Sequence, residues 1–331
     1  MTRCLVTGGS GFIGSHIVRA LVKGGHDVSV LMKPSSSAEL LDGVTYKKRV
    51  GDVTDARGLE DAIPQDTEWL FHNAAIMTDW GGREHFFPVN VEGTRNVLDV
   101  ARRKDIQVLI YTSSTGVYGF PNRAEPMTEE LPPSPFGEYQ KSKAEAEQLV
   151  REYSSAYGLK ATIVRPPTVL GRGDMFTGPQ YIDMIKEGGM YCFGGGKNRV
   201  SFAHADDVAS CLSLAAEKIQ KSAGRVYNVT SFTCPFRVLL DTLRLELSVD
   251  KPVKSIPYGA ALGLGYFVGG VYQALRIKKA PLVTSFRVKL FGTEYIVSDE
   301  RARSELGYSP KWSLESTVQD MVDWGGHVKP R

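Results

Sequence analysis

Thr7-Gly8-Gly9-Ser10-Gly11-Phe12-Ile13-Gly14 is the stretch on which the reading of this chain turns. It follows the apolar run Arg3–Thr7 and opens the helical pattern Phe12–Lys23. Gly8 permits a tight turn. Gly11 lets the backbone approach a pyrophosphate at the positive end of a helix, and Gly14 lets that helix pack closely on the strand. Strand, glycine turn and helix in this order predict a dinucleotide site contacted by Gly8, Gly11, Phe12, Ile13 and Gly14.

Outward from that turn, apolar runs alternate with helical patterns. Arg3–Thr7, Asp27–Met32, Thr45–Val50, Trp69–Asn73, Val108–Ser113 and Lys160–Arg165 read as strands, with helices starting near Phe12, Asp55, Asn90 and Glu138. This rhythm predicts an α/β fold: a Rossmann doubly wound parallel sheet with a smaller, discontinuous C-terminal substrate lobe. The pattern changes after Pro166-Pro167, yet His204–Ile219 reads as a helix packing back on the sheet and Val226–Val229 as one more strand. Residues 1–165 and 203–229 are therefore assigned to the dinucleotide domain, and 166–202 and 230–331 to the substrate lobe.

A net charge of +3 over 331 residues implies no nucleic-acid partner. The four cysteines form no C-x-x-C pair and the six histidines have no metal spacing, so no metal is expected. Reduced thiols and the absence of a signal-peptide pattern predict a cytoplasmic protein.

The end of the second strand selects the cofactor. A carboxylate there would bind the ribose hydroxyls of NAD and repel a 2′-phosphate. Met32 holds that place, followed by Lys33 and Ser35–Ser37, which favours NADP over NAD. After the third strand come Asp52 and Val53; Asp52 either accepts from the adenine amino group or caps the helix Asp55–Ile63.

Tyr139-Gln140-Lys141-Ser142-Lys143 is the chain's one Y-x-x-x-K. One helical turn brings Tyr139 and Lys143 to the same face. The strand before that helix ends in the hydroxyl run Thr112-Ser113-Ser114-Thr115, at the sheet edge where ligands bind. Carbonyl reduction needs a proton donor beside the hydride donor. Tyrosine titrates near ~10, and an ammonium ~4 Å away contributes ~4 kcal/mol, enough to bring it to ~7. Tyr139 and Lys143 are also expected to touch the cofactor.

These residues resemble the extended short-chain dehydrogenase/reductase family. The resemblance runs through Gly8–Gly14, His72-Asn73-Ala74-Ala75, Val89–Thr94, Ser113–Gly119 and Tyr139–Lys143. The family's catalytic hydroxyl lies five residues before the glycine of V-Y-G, which is Ser114 here. The same resemblance implies that Asn73, Ala74 and Ala75 line the adenosine, that Asn90 approaches the cofactor or supports the site, and that Pro166 and Val169 meet the nicotinamide. Within the family, Val30–Pro34, Arg165–Gly171, Asn198–Ala209 and Glu305–Pro310 are similar to the 3β-hydroxysteroid dehydrogenase-like and dihydroflavonol reductase-like branch, whose 3β-hydroxysteroid members often use NAD. Nucleotide-sugar epimerases carry an acid and an arginine where this chain has Met32 and Val200.

The crevice is expected to be aromatic, with Met77, Trp80, Tyr118, Phe120, Phe176, Tyr181 and Phe193 facing an apolar small molecule. Ile256–Leu275 has no charged residue and is followed by Arg276, Lys278 and Lys279. Its first reading is a pocket wall in which Tyr258–Leu275 covers the crevice and Phe267 meets substrate. The others are a peripheral membrane contact through 256–279 and a membrane span. A homodimer is a further candidate partner. The function these features predict is hydride transfer between a nicotinamide and a hydrophobic alcohol or ketone. Its rivals are a nucleotide-sugar epimerase or dehydratase holding NAD tightly, and a cofactor-sensing binding protein.

Overall fold

The computed structural model describes residues 1–277 and 279–325. Lys278 and residues 326–331 lie outside the described residues, including the end of the expected substrate lobe. Twelve strands are β1 (Arg3–Thr7), β2 (Asp27–Met32), β3 (Lys47–Val50), β4 (Trp69–His72), β5 (Val108–Thr112), β6 (Lys160–Arg165), β7 (Thr168–Leu170), β8 (Tyr191–Phe193), β9 (Arg199–His204), β10 (Val226–Asn228), β11 (Phe232–Pro235) and β12 (Lys254–Ile256). Seven of them form a parallel sheet in the order β10-β6-β5-β4-β1-β2-β3. The fold is Rossmann-like, as the glycine turn and strand rhythm predict.

Strands β1, β2, β4, β5 and β6 are buried almost throughout because helices cover both sheet faces, so their sequences are continuous apolar runs. β3 is the open edge, and its Lys47-Lys48-Arg49 blunts pairing with another chain. It begins at Lys47, two residues later than expected. The helix expected from Asn90 starts as one wide π turn, Pro88–Glu92, and becomes regular at Gly93. The predicted helix at His204 runs from Ala205 to Glu217; His204 ends β9 and caps it, its ring accepting from the Asp206 amide. This helix packs along Phe12–Lys23.

Two small sheets lie beyond the seven-stranded one, β11-β9-β7 and β12-β8. A second apolar cluster, including Tyr181, Phe193, Phe236 and Phe291, holds them to the helices Thr177–Glu187, Phe236–Glu246 and Ser285–Gly292. All four cysteines are free and buried. Among the described residues no helix is long and apolar enough to cross a membrane, which removes the span reading of 256–275. The segment instead forms the helix Tyr258–Ala274, of which only Ala261 and Gly265 are buried.

Candidate active site

The glycine turn is built as its sequence demands. Gly8 has φ +66°, and a side chain there would press on the Ala74 backbone at 2.8 Å. A side chain at Gly14 would overlap the Gly8 carbonyl. Gly11 has the freer surroundings and serves as N-cap of Phe12–Lys23, with no side-chain cap and no acid in the first turn. The first amides of that helix are thus left for an anion, which fits the pyrophosphate of a dinucleotide. Asn73 and Ala74 flank the turn half-buried, with Ala75 exposed beside them, and Phe12 and Ile13 are half-buried.

Lys33 is exposed after β2, whereas Met32 is buried in the core and presents nothing to a ribose. Asp52 is half-buried and binds Thr54, accepting from its amide and hydroxyl at 3.0 and 2.9 Å. The helix cap considered for Asp52 is Asp55, whose side chain accepts from the Arg57 and Gly58 amides. Val53 puts its side chain in the core and its carbonyl on Asn96, so side-chain contact with a cofactor is corrected to packing.

A buried polar chain ties the turn to the helix of Tyr139. Thr7 Oγ1 accepts from the amides of Asn73 and Ala74, and so donates to His72 Nδ1 at 2.8 Å. Thr94 Oγ1 donates to the Asn90 carbonyl, and so accepts from His72 Nε2 at 2.9 Å. The count assigns the Nε2–H tautomer. Burial, then the Lys143 charge, pulls the imidazole down to about 3, so His72 stays neutral. Asn90 closes on Ile76 with both ends of its amide and donates to Ser142 Oγ at 2.9 Å. Of the two roles implied for Asn90, its side chain is engaged in support.

The helix Glu138–Tyr157 carries Tyr139 and Lys143 one turn apart. Gly137 and Phe136 give their amides to Gln140 Oε1, which fixes the helix start. Tyr139 is half-buried; burial pushes its phenol up to about 12, and the neighbouring Ser114 hydroxyl opposes that rise. Ser114 also accepts from the Gly116 amide at 3.0 Å. Lys143 is buried, donates to the Thr112 carbonyl at 2.6 Å and lies over the Tyr111 ring at 4.4 Å. Burial lowers its ammonium to about 7, against the attraction of Glu147. The expected fall of Tyr139 to near 7 is therefore corrected: the lysine meant to lower it is itself desolvated.

Beneath these groups Glu147 meets Arg165. Ser113 Oγ joins Glu147 at 2.6 Å, and Arg165 passes on to the Tyr118 hydroxyl at 2.8 Å, which donates to Asn228. Tyr118 is 1% exposed. It is part of this scaffold, which corrects its expected place in the crevice. Pro166 is buried with its carbonyl on the Thr115 amide, and Val169 is half-buried in β7.

A cavity of about 1050 Å³ opens at the start of this helix. Phe136, Gly137 and Glu138 form one side, Trp80 and Phe286 others, and the helix Tyr258–Ala274 a wall through Gly265, Tyr266, Gly269, Gly270, Tyr272 and Gln273. The cavity reaches Glu138, the residue before Tyr139, and has neither Tyr139 nor Ser114 in its lining. Trp80 is the expected residue that lines it, anchored by its indole N–H to the Ile277 carbonyl at 3.0 Å. Phe120 packs behind Phe136 and Phe286. Tyr181, 7% exposed, and Phe193 belong to the second core, where Tyr181 meets Phe291 edge-on at 6.0 Å. Met77, Phe176 and Phe267 are exposed outside the cavity lining. Burial of Tyr181 and Phe193 in that core corrects their crevice assignments, and the helix Tyr258–Ala274 walls the cavity with its inner face while Phe267 lies outside the lining.

Three features escaped the sequence reading. Asp79, a cavity residue, is clasped by Arg287 at 2.6 and 3.1 Å and by Thr284 at 3.0 Å. Nothing in the sequence joins positions 79 and 287. Phe136 could have been found, since it immediately precedes the helix start. Glu147 also had a signal: it follows Lys143 by four residues and so lies on the same helix face.

The fold and this arrangement define the class. Residues 4–230 match the model of the NAD dependent epimerase/dehydratase family, and the chain belongs to that family. It is an enzyme of the extended short-chain dehydrogenase/reductase type, so the reading as a non-enzymatic cofactor sensor falls. It is 30% identical over 328 residues to the 2-alkyl-3-oxoalkanoate reductase of Stenotrophomonas maltophilia, covering 96% of this chain and 97% of that one. It is 28% identical over 353 residues to 3beta-hydroxysteroid-dehydrogenase/decarboxylase isoform 1 of Arabidopsis thaliana, covering 98% and 80%. UDP-glucose 4-epimerase of Thermotoga maritima superposes with a TM-score of 0.80 at 23% identity over 98% of this chain and 99% of that one, a likeness of fold.

Proposed function

We propose that this enzyme is an alcohol dehydrogenase or ketone reductase for a bulky apolar substrate, with Ser114, Tyr139 and Lys143 handling the proton. The observation that carries the reading is Tyr139, with the Ser114 hydroxyl as neighbour, one helical turn from a buried Lys143 and next in sequence to Glu138 of a cavity with several aromatic walls. Bound nicotinamide supplies or accepts the hydride. Gly8, Gly11, Gly14 and Asn73–Ala75 hold the dinucleotide, with Lys33 taking a 2′-phosphate and making NADP the preferred form over NAD. Tyr139, held protonated by burial, gives its proton to the carbonyl oxygen, and Ser114 donates a hydrogen bond to the same developing alkoxide. Lys143 keeps positive charge within reach of the phenolate that remains.

The named relatives act on a 3-oxoalkanoate and on a 3beta-hydroxysteroid, which supports a ring-bearing or lipid-like substrate. Arg276 is the one lysine or arginine among the described cavity residues, too sparse a positive lining for a nucleoside diphosphate. The same reading divides the chain into a dinucleotide part, 1–165 with 203–229, and a substrate part, 166–202 with 230–331.

The test offers a 3-oxosteroid and a 3-oxoalkanoate with reduced cofactor in excess, and UDP-glucose with oxidised cofactor. Many turnovers of added cofactor with an apolar ketone are expected. Conversion of UDP-glucose without net cofactor use would replace the proposal with the epimerase reading.

A further inference from the structure

The outer face of the helix Tyr258–Ala274 is apolar, and none of the described residues covers it. Leu264, Phe267, Val271 and Leu275 follow one another at spacings of three, four and four residues and so form one stripe. All four are exposed, Phe267 by 70% and Leu275 by 67%. Leu282, just beyond the helix, is 74% exposed. The opposite stripe is already used: Ala261 and Gly265 are buried, Gly265 lies against the Thr284–Ser285 backbone, and Gly269 and Tyr272 line the cavity.

Along the sequence, charge flanking this stripe has one sign, with Arg287 paired to the cavity residue Asp79. From Lys251 to Thr293 the sequence contains seven lysines and arginines and no aspartate or glutamate. The whole chain carries +3, so the remainder carries −4 and the excess is concentrated here. Arg276 and Lys279 are exposed at the C-terminal end of the helix.

We propose that this face docks on an anionic lipid bilayer, with the stripe inserted at the level of the acyl boundary and the basic residues on the headgroups. Apolar area plus cationic flanks is the combination that holds a helix in the interface plane. The helix is too short and its chain too weakly apolar to span, which leaves it lying on the surface. A second copy of the chain fits less well. A twofold contact would set the same segment against itself, and that segment holds no acid to answer its seven bases. In the docked state the cavity is separated from the lipid by one helix whose inner wall includes Gly265, Gly269 and Gly270. This inference does not depend on which substrate is reduced, since docking is read without turnover.

The test is co-flotation of the full chain with unilamellar vesicles at low salt. Equimolar phosphatidylglycerol and phosphatidylcholine should bind it, and phosphatidylcholine alone at least tenfold more weakly. Phe267→Asp and Leu275→Asp should each weaken binding to the anionic vesicles by tenfold or more, with thermal melting unchanged because both side chains are exposed. Equal partitioning of wild type and both variants, or absence of wild type from the vesicle fraction, overturns the proposal. A dimer in vesicle-free solution that both substitutions dissolve overturns it too, in favour of a second copy.

Discussion

Arg165 grips Glu147 through two parallel hydrogen bonds, Nε to Oε1 at 2.7 Å and Nη2 to Oε2 at 2.6 Å, and both side chains are about 2% exposed. The pair joins the end of β6 to the helix of Tyr139 and Lys143, so the position of that helix over the sheet depends on a desolvated ion pair. Arg165→Met leaves Glu147 charged and nearly buried, with only Ser113 and the half-exposed Arg151 beside it. It should destabilise the protein by about 3–5 kcal/mol in urea unfolding. Adding Glu147→Leu should recover most of the loss. A single-variant cost below about 1 kcal/mol would show that the pair does not hold the helix.

Lys143 sets a pH dependence of stability whose sign follows from its depressed pKa. Unfolded, the amine titrates near the ordinary lysine value of 10.5, and folded near about 7. Between those values the unfolded chain binds more protons, so this group adds stability as pH rises from 7 toward 10.5 and loses it as pH falls. Lys143→Met should therefore raise the melting temperature most at pH 6, with the gain shrinking toward pH 10. A gain that grows with pH would contradict the burial of the charged form.

Tyr118→Phe separates scaffold from crevice. The hydroxyl joins Arg165 to Asn228 inside the protein, so its loss should cost about 1–3 kcal/mol of stability and leave KM unchanged. A raised KM with unchanged melting would return Tyr118 to the substrate surface.

Lys33→Asp tests cofactor choice. An exposed lysine just past β2 becomes a carboxylate that repels a 2′-phosphate and accepts from ribose hydroxyls. NADP affinity should fall at least tenfold relative to NAD. Tighter NAD binding by the wild type would remove the Lys33 argument.

Local features were the legible ones. Gly8 and Gly14 announce their turn because a side chain at either would overlap backbone, and β1, β2, β4, β5 and β6 are largely apolar because both faces are covered. Tyr139 and Lys143 were readable as one helical turn. What sequence could not separate was aromatic lining from aromatic core. Tyr118, Tyr181 and Trp80 look alike in local pattern, and only long-range packing buries the first two and leaves Trp80 on the cavity. Arg165 closes an apolar strand and reads as a solvated end until Glu147, 18 residues earlier, is brought against it. The charge-free helix was visible, but which of its faces meets the protein is decided by the Thr284–Ser285 backbone against Gly265.

Tyr139 is the group that moves the proton in the proposed reaction. The most direct measurement follows reduced-cofactor consumption with a 3-oxosteroid and with a 3-oxoalkanoate, for wild type and Tyr139→Phe, alongside cofactor titration of both proteins. The account predicts that turnover of the accepted ketone falls by ~10²–10⁴ in the variant while cofactor affinity stays within about twofold. A variant that keeps more than about a tenth of the wild-type rate, on protein that binds cofactor normally, would contradict it.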